Sequence, residues 1–276
     1  RDLQMRMEEL RYTTTVKERL EGELSAARSI QMSLLPKKFP AFPHRTEFDV
    51  HAMVRPAREV GGDFYDFFLL DSERLCVVIG DVSGKGTPAA LYMAVSTTLV
   101  RACAGPLVTP DEALSKVNYE LCQEAEAGMF VTVLCAYLHL ETGELIYCNA
   151  GHLAPRLLTS DGSKARSLPG RSPALGLTTN LEFSIHRMYL QPGETLFLTT
   201  DGVTEALNER REFFGSSRLD EALSEETGGP LPKLTGSIVS RVQEFAGANE
   251  QVDDISVLAV RWHGAPATGC TFETKN

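Results

Sequence analysis

Four aspartates stand where an apolar run gives way to a turn of small residues. They are Asp63 in VGGDFYDFF, Asp81 in CVVIGDVSGKG, Asp201 in TLFLTTDGVTEA, and Asp253, followed by Asp254, in QVDDISVLAV. A buried strand delivers its last residue to the rim of a sheet, and a glycine beside it lets the backbone approach a ligand closely. Carboxylates gathered on one rim repel by roughly 4 kcal/mol per pair at ~4 Å in a medium of effective dielectric ~20. A cation must offset that repulsion, and oxygen-only donors select hard ions such as Mg²⁺, Mn²⁺ or Ca²⁺. The chemistry implied is metal-dependent hydrolysis.

The elements that must position these residues follow from periodicity. Strand-like runs are EFDVHAMV, FYDFFLL, RLCVVIGDV, MFVTVLCAYLHL, ELIYCNA, APRLLTS, FSIHRMYL, TLFLTT and DISVLAV. Turn signals ETGE, SDGS and QPGE join several neighbours as hairpins, which favours antiparallel sheets over alternating βαβ units. Helical patterns fall at 87–104, 110–126 and 230–246, with Pro88 and Pro110 suited to first turns. Residues 160–182, rich in Ser, Gly, Pro and Thr, read as a surface flap. No internal repeat is present.

Residues 1–34 differ from the rest, with no Pro, one Gly and abundant Glu, Arg, Leu and Met. Leu3, Met7 and Leu10 recur at spacings of four and three, as do Leu20, Leu24 and Ala27, with Leu34 in the second frame. That is a heptad pattern, which predicts a dimerising or signal-conducting coiled coil; an amphipathic helix packed on its own domain is the alternative. Met7 and Leu24 hold equivalent positions 17 residues apart, three beyond two heptads. Such a stammer overwinds a coiled coil locally, and it falls near the β-branched Thr13, Thr14 and Thr15. Pro36 ends the helix, and KKFPAFPH forms a linker.

Composition narrows the function further. A net charge of −10 argues against a nucleic-acid groove, and 43% hydrophobic residues support a sizeable core. Six cysteines without C-x-x-C spacing point to reduced, structural thiols and a cytoplasmic compartment. No apolar run reaches the ~18 residues of a membrane span. The chain opens with Arg, so an upstream region is expected. Two motifs mislead. VGGDF resembles the GGDEF signature of diguanylate cyclases, but the order here is Gly-Gly-Asp-Phe-Tyr-Asp, without the second acidic residue between Asp and Phe. GDVSGKGT resembles a P-loop, but only three residues separate Gly80 from Gly84 where four are required.

Taken in order, ELSAARSIQMSLLP, AREVGGDFYDFF, GDVSGKGTPAALYMA, MFVTV, YCNAGH, LFLTTDGVTEA and DDISVLAV resemble the SpoIIE/RsbU-type branch of the PPM (protein phosphatase 2C-like) metal-dependent Ser/Thr phosphatases. The resemblance covers residues 20–262. It implies an α+β fold, an αββα sandwich of two antiparallel sheets flanked by helices. The expected organisation is a coiled-coil helix at 1–35, a phosphatase domain at 36–264 and a tail at 265–276.

The resemblance also implies site roles. Two ions, Mn²⁺ or Mg²⁺, would be held at one end of the sandwich. Asp81 matches the bridging carboxylate, Val82 the backbone carbonyl ligand, Asp201 and Asp253 the other ligands of the first metal, and Asp63 the acidic position of the second. Asp254 remains an alternative to Asp253. A metal pair suits in-line attack of an activated water on a phosphate monoester. Arg58, five residues before Asp63, matches a phosphate-binding arginine. NAGH ends in His152 where many relatives carry Asp in a third metal site, so that site is expected to be absent or altered, and His152 structural. Asp66 and Lys85 read as positional residues.

Members of this branch act on phosphoserine or phosphothreonine in a STAS-type anti-sigma-factor antagonist. The opening segment resembles the helix that follows a HAMP module, which implies an upstream sensor region that can be transmembrane. A homodimer through the coiled coil, signalling to helix 87–104, completes the picture. The rival reading is a pseudophosphatase that docks the antagonist without turnover.

Overall fold

A computed structural model of the chain describes residues 2–123, 128–160 and 165–265. In chain order the elements are α1 (Asp2–Leu34), β1 (Phe48–Arg55), β2 (Phe64–Leu69), β3 (Arg74–Val82), α2 (Thr87–Cys103), α3 (Pro110–Gln123), β4 (Val131–His139) and β5 (Glu144–Ala150). They continue with β6 (Arg156–Leu158), β7 (Arg166–Ser167), β8 (Ile185–Tyr189), β9 (Thr195–Thr199), α4 (Asp201–Thr204), α5 (Gly215–Glu225), α6 (Leu231–Ala246) and β10 (Ile255–Trp262). The strands form two five-stranded sheets, β1-β10-β9-β6-β7 and β2-β3-β4-β5-β8. Every pairing between these strands is antiparallel, as the hairpin signals predict.

The period-two alternation of β9 and β10 builds the layers. Leu196, Leu198, Leu258 and Val260 face inward and join Val77, Ile79 and Leu134 of the opposing sheet in the main core. The residues between them, Phe197, Val257 and Ala259, face outward and pack under Leu219, Leu223, Ile238 and Val242 of α5 and α6. On the other side, Ala89, Met93 and Val100 of α2 and Leu114, Val117 and Leu121 of α3 cover the second sheet. Each fully buried Leu, Val or Met contributes about 1.5–3 kcal/mol. The result is the expected sandwich of two antiparallel sheets flanked by helices, with α1 leading into it.

Some local readings change. α5 is not among the helices expected from the sequence; Leu219, Ala222 and Leu223 give it a buried face. The expected surface flap is instead tied down where it is described. Leu168 and Leu175 are buried, and Leu175 exchanges backbone hydrogen bonds with Val131 at 2.9 and 3.0 Å. Its polar composition hid two apolar anchors. The SDGS turn beyond Ser160, the end of helix 110–126, Cys270 and the tail past 265 lie outside the described residues.

Helix α1 runs unbroken through the heptad slip. The hydroxyls of Thr13, Thr14 and Thr15 donate to the carbonyls of Glu9, Leu10 and Arg11, which accommodates three β-branched residues in a helix. Met7, Leu10 and Leu20 are exposed. No described helix is long and apolar enough to cross a membrane.

Candidate metal centre

Strand pairing brings the aspartates together two by two. Asp63 immediately precedes β2 and Asp81 is the penultimate residue of β3; the two strands pair with Phe64 opposite Gly80. Asp201 opens α4 directly after β9, and Asp253 leads into β10, which pairs with β9 through Val257 and Thr199. Each sheet thus contributes two carboxylates to the same end of the sandwich.

The electrostatics record their convergence. Burial, then the neighbouring Asp201 and Asp253 carboxylates, push Asp81 up to about 7. Burial, then Glu205 and Asp253, push Asp201 up to about 6. Asp63, almost fully enclosed, is held well above the usual carboxylate range by burial, then by Asp81 and Asp254. Like charges in a poorly hydrated site disfavour ionisation, which is the energetic signature of a cation-accepting cluster.

Asp253 and Asp254 separate cleanly. The Asp254 carboxylate is buried and accepts backbone N–H groups of Ala57 at 2.8 Å, Gly62 at 2.9 Å and Asp63 at 3.4 Å. It is spent on shaping the loop before β2. A Cβ on Gly61 would lie 1.8 Å from Asp254 Oδ2, and one on Gly202 would lie 1.9 Å from the Asp254 carbonyl, so both glycines are required by contact. Asp253 keeps its carboxylate toward the cluster, where Lys85 Nζ stands 2.8 Å from Oδ2 and also donates to the Val252 carbonyl.

Val82 ends β3 with its carbonyl oxygen beside Gly62, close enough that a Cβ at 62 would lie 2.8 Å from it. Arg58 is exposed and lines a small cleft with Lys85, Gly61, Gly62 and Asp253. A larger cavity of about 440 Å³ opens beside the cluster and includes Gly202, Asp253, Leu207, Phe213 and Val242 in its walls. Of the four aspartates, Asp253 alone stands in its wall.

The flanking residues have structural work. His152 is buried; its backbone N–H donates to Asn149 Oδ1 at 2.8 Å and its Nδ1 lies 2.8 Å from the Thr132 hydroxyl. Asp66 is buried under Arg101 of α2, which grips both carboxylate oxygens at 2.7 and 2.5 Å while its guanidinium covers Phe68 at 4.3 Å. That pair fastens α2, the helix following the Asp81 turn, to β2.

Two contributors escaped the sequence reading. Thr200 donates to Asp63 Oδ2 at 2.7 Å and accepts the Ser256 N–H at 3.0 Å, linking the two sheets under the cluster. Gln31 of α1 exchanges two hydrogen bonds with Gly61. Thr200 is adjacent to Asp201 and could have been suspected; nothing local marks Gln31.

Among the described residues, no three His, Cys, Asp or Glu side chains converge tightly enough to enclose an ion by themselves. The donor chemistry nevertheless fits a hard divalent cation. Four carboxylates and a main-chain carbonyl supply oxygen only, and Mg²⁺-like ions keep several waters and need few protein ligands.

Comparison with known proteins agrees with the geometry. The family model described as Stage II sporulation protein E (SpoIIE) matches residues 71–263. The chain is 34% identical over 268 residues to Protein IcfG of Synechocystis sp., covering 86% of this chain but only 41% of that relative, so it spans less than half of IcfG. It is 25% identical over 249 residues to phosphoserine phosphatase RsbU of Bacillus subtilis, covering 89% of this chain and 72% of RsbU. The SiaA-PP2C domain of Pseudomonas aeruginosa superposes with a TM-score of 0.80 at 22% identity, covering 90% of this chain and 98% of that one.

Proposed function

Because the chain belongs to the SpoIIE family of PP2C-type phosphatase domains, we propose that it is a metal-dependent phosphatase of phosphoserine and phosphothreonine in proteins. The observation that carries this reading is the meeting of Asp63, Asp81, Asp201 and Asp253 from both sheets, with three of the carboxyls held above their ordinary range. The similarity to RsbU, named a phosphoserine phosphatase, supports the same substrate chemistry.

Asp81, with the Val82 carbonyl, would hold both of two Mn²⁺ or Mg²⁺ ions; Asp201 and Asp253 would complete the first site and Asp63 the second. When bound, such ions supply an acidified water and positive charge against the phosphoryl oxygens. Arg58, exposed on the rim, would grip the phosphate by two parallel N–H donors. Asp254 and Thr200 hold the carboxylates in place without touching substrate. Lys85 pairs with one oxygen of Asp253, whose carboxylate retains lone pairs for a cation.

The preferred substrate on this reading is a phosphorylated STAS-domain antagonist of an anti-sigma factor, and regulation runs through a homodimeric coiled coil at residues 1–35 ahead of a catalytic domain at 36–264 and a tail at 265–276. The exposed Met7, Leu10 and Leu20 on α1 support the dimer. The unpaired described cysteines are in keeping with a cytoplasmic setting. The rival is a pseudophosphatase docking module, and the Lys85–Asp253 ion pair is the observation on its side.

The deciding experiment is phosphate release from a phosphoserine-bearing STAS protein, titrated with Mn²⁺ and Mg²⁺, with Asp201→Asn as control. Metal-dependent turnover that disappears in the variant is expected. Metal binding without turnover would favour the docking module. Equal turnover of small phosphate esters would remove the protein-substrate assignment.

A further inference from the structure

We propose that Gln31 is a positioning residue: its side-chain amide clamps the loop carrying Arg58 and Asp63 to helix α1, so that the seat of α1 sets the geometry of the carboxylate cluster. The proposal rests on the metal-dependent reading above and names the contact through which the helix would act.

Helix α1 is exposed over most of its length, with Leu10 at 71% and Ile30 at 69%, yet Gln31 is only 8% exposed. Its Nε2 donates to the Gly61 carbonyl at 2.6 Å, and the Gly61 N–H donates back to its Oε1 at 3.2 Å. One amide thereby satisfies both backbone polar groups of one residue, as a neighbouring strand would. Without it a buried peptide group would be left unpaired, at a cost of about 1–3 kcal/mol.

The loop is held from its other side by Asp254, whose carboxylate takes the N–H groups of Ala57, Gly62 and Asp63. Residues 57–63 are thus pinned between an amide on the helix and a carboxylate next to Asp253. Asp63 lies two residues beyond the clamped glycine, and Arg58 three before it. Contacts on either side reinforce the seat. Arg28, one turn earlier, pairs with Glu59 at 3.7 Å, and Leu35, immediately after the helix, is buried in the main core. Just past the helix, the Tyr65 hydroxyl donates to the Pro36 carbonyl at 2.9 Å, tying its exit to β2. The sequence directs the signal to α2, which α1 also touches; the hydrogen bonds from α1 run to the Asp63 loop.

The test compares the full chain with Gln31→Met, which keeps length and helix propensity but removes both hydrogen bonds, and with Gln31→Glu, which keeps one acceptor. Calorimetric Mn²⁺ titration of metal-stripped protein, amide exchange of residues 57–63 and steady-state kinetics are read together. Loss of an outer support of a metal site weakens binding by about 10–100-fold. We expect Gln31→Met to weaken Mn²⁺ binding at least about tenfold, speed exchange at 59–63, and lower kcat with little change in KM at saturating metal. Gln31→Glu should fall between it and the wild type. A lowered Tm with wild-type Mn²⁺ binding and loop exchange would reduce Gln31 to a structural cap and overturn the proposal. If Gln31→Met does not fold, the same readings on Gln31→Glu decide. Failure of the wild type to bind Mn²⁺ would instead overturn the metal assignment, while the exchange comparison would still judge the clamp.

Discussion

Asp254 Oδ2 accepts the backbone N–H of Gly62 at 2.9 Å, which commits that carboxylate to the loop before β2 and leaves its neighbour Asp253 facing the cluster. Two adjacent acids of the same type therefore have different duties. Asp254→Ala should cost about 3 kcal/mol, since it strips a charged acceptor from buried amides. At roughly 2–4 °C per kcal/mol for a domain of this size, Tm should fall about 6–12 °C. Asp253→Asn should leave Tm nearly unchanged and abolish metal-dependent turnover. Thermal melts beside Mn²⁺ titrations check both; a reversed pattern would exchange the assignments.

Repulsion within the cluster makes stability depend on pH and metal together. Asp81 and Asp201 have folded values near 7 and 6, above their ordinary carboxylate range. A raised carboxyl contributes stability below its unfolded pKa and loses it as pH rises through the folded value. The metal-free chain should therefore weaken between about pH 4 and pH 7 from this source, and a bound cation should offset the loss. Excess Mn²⁺ should raise Tm by roughly 5 °C more at pH 8 than at pH 5.5. An equal increment at both would contradict a repelling cluster.

His152 acts in the opposite direction. Burial holds its imidazole down to about 4, so it stays neutral in the fold while the unfolded chain protonates near 6.5. Its penalty is absent above pH 6.5 and accumulates as pH falls toward 4, reaching about 3 kcal/mol. Between those limits the wild type should lose Tm more steeply than His152→Gln, with the carboxylate contribution common to both. Parallel profiles would mean that His152 is solvated.

The Asp66–Arg101 pair joins a buried carboxylate to a half-exposed guanidinium. Arg101→Met leaves that carboxylate only the Phe67 N–H and should cost about 1–3 kcal/mol. Adding Asp66→Asn should recover much of that. A double-mutant cycle measures the coupling, and a value near zero would show that the pair does not hold α2 on β2.

What the amino-acid sequence determined by itself was most of the elements, α4 and α5 excepted, and the acids at their ends. Apolar alternation marked the nine strand runs, the turn signals made them antiparallel, and glycine beside Asp63, Asp81 and Asp201 marked rim positions. Those are local properties, set by side-chain period and backbone freedom. Only the tertiary structure decided which acids face one another. Register placed Gly80 opposite Phe64 and so Asp81 beside Asp63, and the stacking of the two sheets added Asp201 and Asp253. The distinction between Asp253 and Asp254 was invisible to spacing, because it depends on amides 192 and 197 positions away in the chain. The same holds for Thr200 under Asp63 and for Gln31 on Gly61: a hydrogen bond across long sequence separation leaves no local periodicity to read.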